Sequence, residues 1–135
     1  MSTKTFVNLP VRDAAKATEF FTALGFSFNE QFSDENTKCM VISDDAYAML
    51  QVEPVFRTFI QQDVTDTAKS REVIVGLSAE TRDEVDDLVE KAVGAGGQEL
   101  GEPDDQGFMY MRAFRDLDGH QWSSIYMDMS SVAEQ

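Results

Sequence analysis

His120 and Cys39 are the only histidine and the only cysteine in this chain, so chemistry near neutral pH has few candidates. Imidazole is the default general base in that range. His120, however, directly follows Asp118-Gly119. That placement puts it at the start of a strand near the surface, where a structural role is the expected one. A lone histidine excludes a His-pair metal site. Glu72 is a second candidate base. Cys39, between Lys38 and Met40, reads as a buried small hydrophobe. One thiol excludes an intrachain disulfide and a four-thiolate zinc site. Asp116-Leu117-Asp118-Gly119 opens like a calcium loop, but the sixth position after its glycine must carry a bidentate Glu. Here that position is Ile125, so calcium is dismissed and the aspartates are expected to cap turn N–H groups. Arg112 alternates with Tyr110 and Phe114. Its guanidinium either reaches water or lines a pocket, where it would grip a carboxylate or phosphate in a bidentate fashion.

The composition narrows the partners. In 135 residues, 11 Lys plus Arg stand against 25 Asp plus Glu, a formal charge of −14. So acidic a body repels phosphate backbones, which argues against nucleic acid and anionic membrane surfaces. At 42% hydrophobic residues the chain can pack an interior. No run approaches a membrane span and the first residues lack the apolar segment of a signal peptide, so the expected compartment is the cytoplasm. Seven methionines suit ordinary core filling or a soft pocket wall.

The elements that would position these residues occur in the same order twice. Val7, Leu9 and Val11 alternate with Phe6, Asn8 and Pro10, which is strand periodicity. Pro10 cannot donate to a ladder, so that strand is expected to lie near an edge or to end there. Asp13 caps a predicted helix over 14–24, stopped by Gly25. Strands are predicted over 26–32, 38–42 and 46–52. The second half repeats this with a strand over 72–77 and a helix opened by the capping box Thr81-Arg82-Asp83-Glu84. Val85, Leu88, Val89, Ala92 and Val93 form its apolar stripe, and Gly94, Gly96 and Gly97 end it. Strands over 98–100, 108–115 and 121–127 follow. The expected organisation is one α+β domain over 1–135, with tandem βαβββ repeats at about 4–52 and 71–128 sharing a core. The 53–70 linker carries an amphipathic start at Val55, Phe56, Phe59 and Ile60.

Two stretches, Phe6-Val7-Asn8-Leu9-Pro10-Val11-Arg12-Asp13 leading to Leu24-Gly25-Phe26, and Asp116-Leu117-Asp118-Gly119-His120-Gln121-Trp122, carry a resemblance. With the doubled βαβββ order, the chain resembles the vicinal oxygen chelate superfamily, which includes glyoxalase, bleomycin-resistance proteins and extradiol dioxygenases. The resemblance implies a curled mixed sheet in which each repeat is a half-barrel, the two forming an open cup. It also implies a homodimer. Enzymes of that superfamily hold a divalent metal with a His or Gln on the first strand, a Glu on the fourth, a His on the first strand of the second repeat, and a Glu after the Asp-x-Asp-Gly turn. Those positions correspond to Phe6, Met49, Ile74 and Ser123 in this chain, or Gln51 in place of Met49 under a register shift. Phe and Ile cannot coordinate, and a thioether and a hydroxyl do not hold a hard cation.

The sequence therefore predicts a metal-free cup, without cofactor, that binds a small molecule. Phe6, Met49 and Ile74 would supply apolar contact, Asn8, Gln51 and Ser123 neutral hydrogen bonds, and Tyr110 and Arg112 further lining. The alternatives are a metal-independent enzyme using His120 or Glu72 for proton transfer, isomerase or lyase-like chemistry, and a metal-dependent glyoxalase-type lyase if the ligand register is misread. A structural or regulatory dimer with a collapsed pocket is a third possibility.

Overall fold

Alternating apolar residues and two capped helices generate a pair of four-stranded mixed sheets in the computed structural model, which describes residues 3–128 and Ser130. The chain divides into two compact units, Met1–Asp66 and Thr67–Gln135. The sheet orders are β1-β4-β3-β2 and β5-β8-β7-β6, so the second unit repeats the topology of the first. Neither sheet closes into a barrel, and the fold is α+β with tandem βαβββ modules.

The first unit contains β1 (Thr5–Val11), α1 (Ala14–Ala23), β2 (Ser27–Phe28), β3 (Thr37–Ser43), β4 (Ala46–Val52) and α2 (Glu53–Ile60). β1 lies at the sheet edge, as Pro10 requires, and pairs in parallel with β4. Asp13 caps α1 by accepting from the Lys16 N–H, and Gly25 follows it at φ +105°, a conformation that favours glycine. One sheet face, carrying Leu9, Leu50, Ala48 and Met40, is buried, as are Ala14, Ala17, Phe20 and Phe21 of α1. The strand predicted over 26–32 is shorter than expected. β2 ends at Phe28 because Asn29 turns the chain, its side chain accepting from the Gln31 N–H and opening a 3-10 turn over Glu30–Phe32.

The second unit contains β5 (Ile74–Ala79), α3 (Arg82–Gly94), β6 (Gln98–Asp105), β7 (Met109–Arg115) and β8 (Gln121–Met127). Thr81 caps α3, its hydroxyl accepting from the Glu84 N–H at 3.1 Å. The Glu84 carboxylate reaches back one residue further than a capping box requires, accepting from the Glu80 N–H at 2.7 Å. Val85, Val89 and Ala92 are buried with Leu77, Phe114 and Trp122, whereas Val93 is turned outward. β6 is longer than the predicted 98–100 strand. Its pairing with β7 shifts register between Leu100 and Asp104, a bulge that lets Gly101 and Pro103 lie within an edge strand. β5 starts at Ile74 rather than at 72.

Candidate functional site

Parallel pairing of β1 with β4 decides what the first unit presents on the face opposite its buried side. Phe6 is paired with Tyr47, Asn8 with Met49 and Pro10 with Gln51. Paired residues point the same way, so Phe6, Asn8, Met49 and Gln51 share one face. β3 adds Cys39 beside Met49. Phe6, 53% exposed, stacks on Tyr47 with ring centroids 5.1 Å apart and planes at 14°. Further along, the Gln51 side chain donates through Nε2 to Asn8 Oδ1 at 3.2 Å. Asn8 Nδ2 in turn donates to the Phe6 carbonyl at 3.4 Å. Burial pushes the Cys39 thiol up, which leaves it as a neutral soft wall. The surface thus grades from an aromatic ledge through the exposed Asn8 amide to the buried Gln51 amide. Cys39 is buried, as its sequence context suggested, but its place on this face and that of Tyr47 were missed in the sequence, and only the β1–β4–β3 register could have found them.

In the second unit, Gly76 pairs with Ser123, which pairs with Ala113. Ile74, two residues before Gly76, therefore lies on the Ser123 face. Ile74 is 60% exposed, while Ser123 is buried. Arg112 and Tyr110 pair with Ser124 and Tyr126 and so lie on the opposite face, with Trp122 and Phe114. That face is covered by α3, and its acids claim the guanidinium. Arg112 Nη1 donates to Asp86 at 2.8 Å and Nη2 to Glu90 at 3.0 Å. Nε and Nη2 grip Glu99 at 2.9 and 2.8 Å. These carboxylates, Glu99 foremost, raise the Arg112 pKa above its ordinary value. The Tyr110 hydroxyl donates to Asp86 at 2.6 Å, and with Arg112 it holds the Asp86 carboxyl below the usual carboxylate range. Arg112 thus supports the helix against the sheet and does not share a face with Ser123.

The two candidate bases are placed outside the strands. Glu72 is exposed ahead of β5. His120 lies in the turn before β8, built on the buried Asp116. One Asp116 oxygen accepts from the N–H groups of Asp118 and His120 at 2.9 and 3.0 Å, and the other from Trp122 Nε1 at 3.0 Å. Burial pushes the Asp116 carboxyl up, opposed by His120 and these donors. The expected capping role of Asp116 is therefore what the turn shows. The end of the linker straps this turn, with Thr67 Oγ1 donating to the Asp118 carbonyl at 2.6 Å and Arg71 Nε to the Gly119 carbonyl at 2.9 Å.

The strand order and the β1 and β8 motifs together match one known family. The profile of the Glyoxalase/Bleomycin resistance protein/Dioxygenase superfamily matches residues 5–123. The chain belongs to this superfamily. A hypothetical protein from S. aureus is 30% identical, with a TM-score of 0.80 over 93% of this chain and 95% of that one. A glyoxalase/bleomycin resistance protein/dioxygenase family enzyme from Burkholderia phytofirmans PsJN is 14% identical, with a TM-score of 0.79 over 93% and 99%. The fosfomycin resistance protein FosX from Mesorhizobium loti is 14% identical, with a TM-score of 0.65 over 98% and 96%. The latter two likenesses establish shared fold. No curated protein matches the chain.

The divalent metal of the superfamily's enzymes does not fit the residues at the corresponding positions. Phe6 is committed to the Tyr47 ring, and Ile74 is an exposed hydrocarbon. Met49 offers only a thioether, and Ser123 only a hydroxyl. Gln51, the alternative to Met49, offers only a neutral amide oxygen. No imidazole, carboxylate or thiolate stands at any of these positions, although hard or borderline cations need such donors. Among the described residues, no three His, Cys, Asp or Glu side chains are grouped to hold a metal ion. No helix among them is long and apolar enough to cross a membrane.

Proposed function

We propose that this superfamily member binds a small organic molecule without a metal or other cofactor, on the β1–β4 face of its first unit. The observation that carries the reading is the shared register of Phe6, Asn8, Met49 and Gln51, which places an aromatic ledge and a linked pair of amides, Asn8 exposed and Gln51 buried, on one surface. Such a mixture of apolar area with a few fixed polar groups is what small-ligand sites use. Ile74 and Ser123 occupy the corresponding face of the second unit and supply apolar and hydroxyl contact there. Arg112 and Tyr110 leave the ligand set, because α3 and its acids engage them. Members of this superfamily commonly pair, so the working assembly is a homodimer. The single cysteine is in keeping with a cytoplasmic setting.

Metal analysis of the purified protein beside a thermal-shift screen of small molecules tests this reading. The expected result is substoichiometric divalent metal and at least one compound that raises Tm with dose. A ligand at a hundred times its Kd adds about 2.7 kcal/mol, well within detection for a chain of this size. Stoichiometric divalent metal in the purified protein, or a screen without a stabilising compound, overturns the reading.

A further inference from the structure

We infer that Gln51 Oε1 is a specificity-determining acceptor, selecting neutral ligands that carry an N–H or O–H donor on an apolar or planar body. This rests on the binding face proposed above and names the chemistry it takes. Gln51 is only 6% exposed, and its Oε1 is sealed from solvent and meets no donor among the described residues.

The orientation of that amide follows from Asn8, whose Nδ2 lies 3.4 Å from the Phe6 carbonyl. The Phe6 carbonyl can only accept, so Asn8 must turn its Nδ2 towards it. Asn8 Oδ1 then faces Gln51, which must answer with Nε2. Oε1 is what remains. Flipping either amide would set two acceptors or two donors against each other. The relay thus runs one way and ends on an acceptor that the chain leaves unmatched.

Leaving a buried acceptor without a donor is unfavourable, and a ligand donor that reaches it removes that cost. An acceptor or anion presented at the same place meets a carbonyl dipole of the wrong sign. Between Phe6 and Gln51, the paired positions of β1, β4 and β3 contribute no cation to this face. Lys4, whose ammonium lies over the Tyr47 ring, is already held by the Asp44 carbonyl and by Asp45. Met49, two residues from Gln51 on the same face, supplies apolar surface about 7 Å along the strand from the acceptor, a span that one small planar molecule can bridge, and the Phe6–Tyr47 stack continues that surface about 13 Å away.

The test uses indole, 1-methylindole and indole-3-carboxylate, titrated into the full chain while the backbone amide NMR signals of β1 and β4 are followed. Indole is expected to bind at least tenfold more tightly than 1-methylindole, which has lost only the donor, and more tightly than the carboxylate. In Gln51→Met, which keeps the side-chain length and deletes the orphan atom, indole and 1-methylindole should bind within twofold of each other. The variant should also melt higher than the parent, whereas a merely structural Gln51 would leave ligand preference unmoved. Equal binding of indole and its methyl derivative to the parent overturns the inference and leaves the binding face standing. So does tighter binding of the carboxylate, or a preference that survives in Gln51→Met. If none of the three perturbs β1 or β4, the binding face fails and the inference with it. The comparison on the unaltered protein decides the matter even where the variant does not fold.

Discussion

Asp116 shows how much one side chain can organise when sequence places it before a tight turn. Its two oxygens satisfy two backbone N–H groups and the indole of the fully buried Trp122. Asp116→Ala would strand all three donors in an interior site. Each unsatisfied buried group costs about 1–3 kcal/mol, so the variant should lose at least about 3 kcal/mol in urea denaturation. A loss below 1 kcal/mol would mean that the turn is held from elsewhere, for example by Thr67 and Arg71. Asp105 is a contrasting carboxylate, exposed and engaged in a fork with Arg82 at 2.9 Å for both bonds. Arg82, helped by the Gly107 N–H, holds its pKa down to about 2. A depressed folded-state value means that the contribution of this pair is complete above the ordinary value of 3.8 and is lost as pH falls from there through about 2. The pair is exposed and screened, so its effect on global stability is small and the direct readout is an NMR titration of the Asp105 carboxyl carbon. The midpoint should lie near the depressed value, and Arg82→Gln should return it towards the ordinary one.

At the scale of elements, α3 is held to its sheet by an apolar stripe, by its own Arg82 on Asp105 of β6 and by the Arg112 cation of β7. Arg112 draws together Asp86 and Glu90 from the helix and Glu99 from β6. Arg112→Ala removes the cation and leaves three carboxylates facing one another in a chain of net charge −14. Breaking a wholly buried pair costs 3–5 kcal/mol. Asp86 and Glu90 keep much of their solvent contact, so about 2–4 kcal/mol is the expected loss, smaller in 1 M salt. Arg112→Lys should recover only part of it, because an ammonium cannot reproduce the fork on Glu99. Urea denaturation at low and high salt checks both, and a salt-independent loss would point to packing instead. The same element marks where reading residues in order stops being sufficient. The alternation of Val7, Leu9 and Val11, the Asp13 and Thr81 caps and the valines of α3 were legible, because local periodicity and capping specify them. Phe6, Asn8, Met49 and Gln51 were legible as candidates by type and by the resemblance. The side of β7 taken by Arg112 was not, because that depends on which strand face α3 covers. The bulge in β6 and the early end of β2 were likewise invisible, one arising from pairing with β7 and the other from the Asn29 turn.

For the whole molecule, family membership and function separate. The superfamily scaffold is present in two repeats, yet a scaffold of this kind hosts many activities and the site decides among them. Polarising vicinal oxygens requires a Lewis acid held by strong donors. Here the positions that would hold it carry an aromatic ring, a thioether, a branched hydrocarbon and a hydroxyl. The expected outcome is that the purified chain does not turn over the methylglyoxal–glutathione adduct, and that adding nickel or zinc does not change this. Turnover by the unaltered chain that rises with nickel or zinc would overturn the metal-free assignment and shift the search to donors outside these four positions.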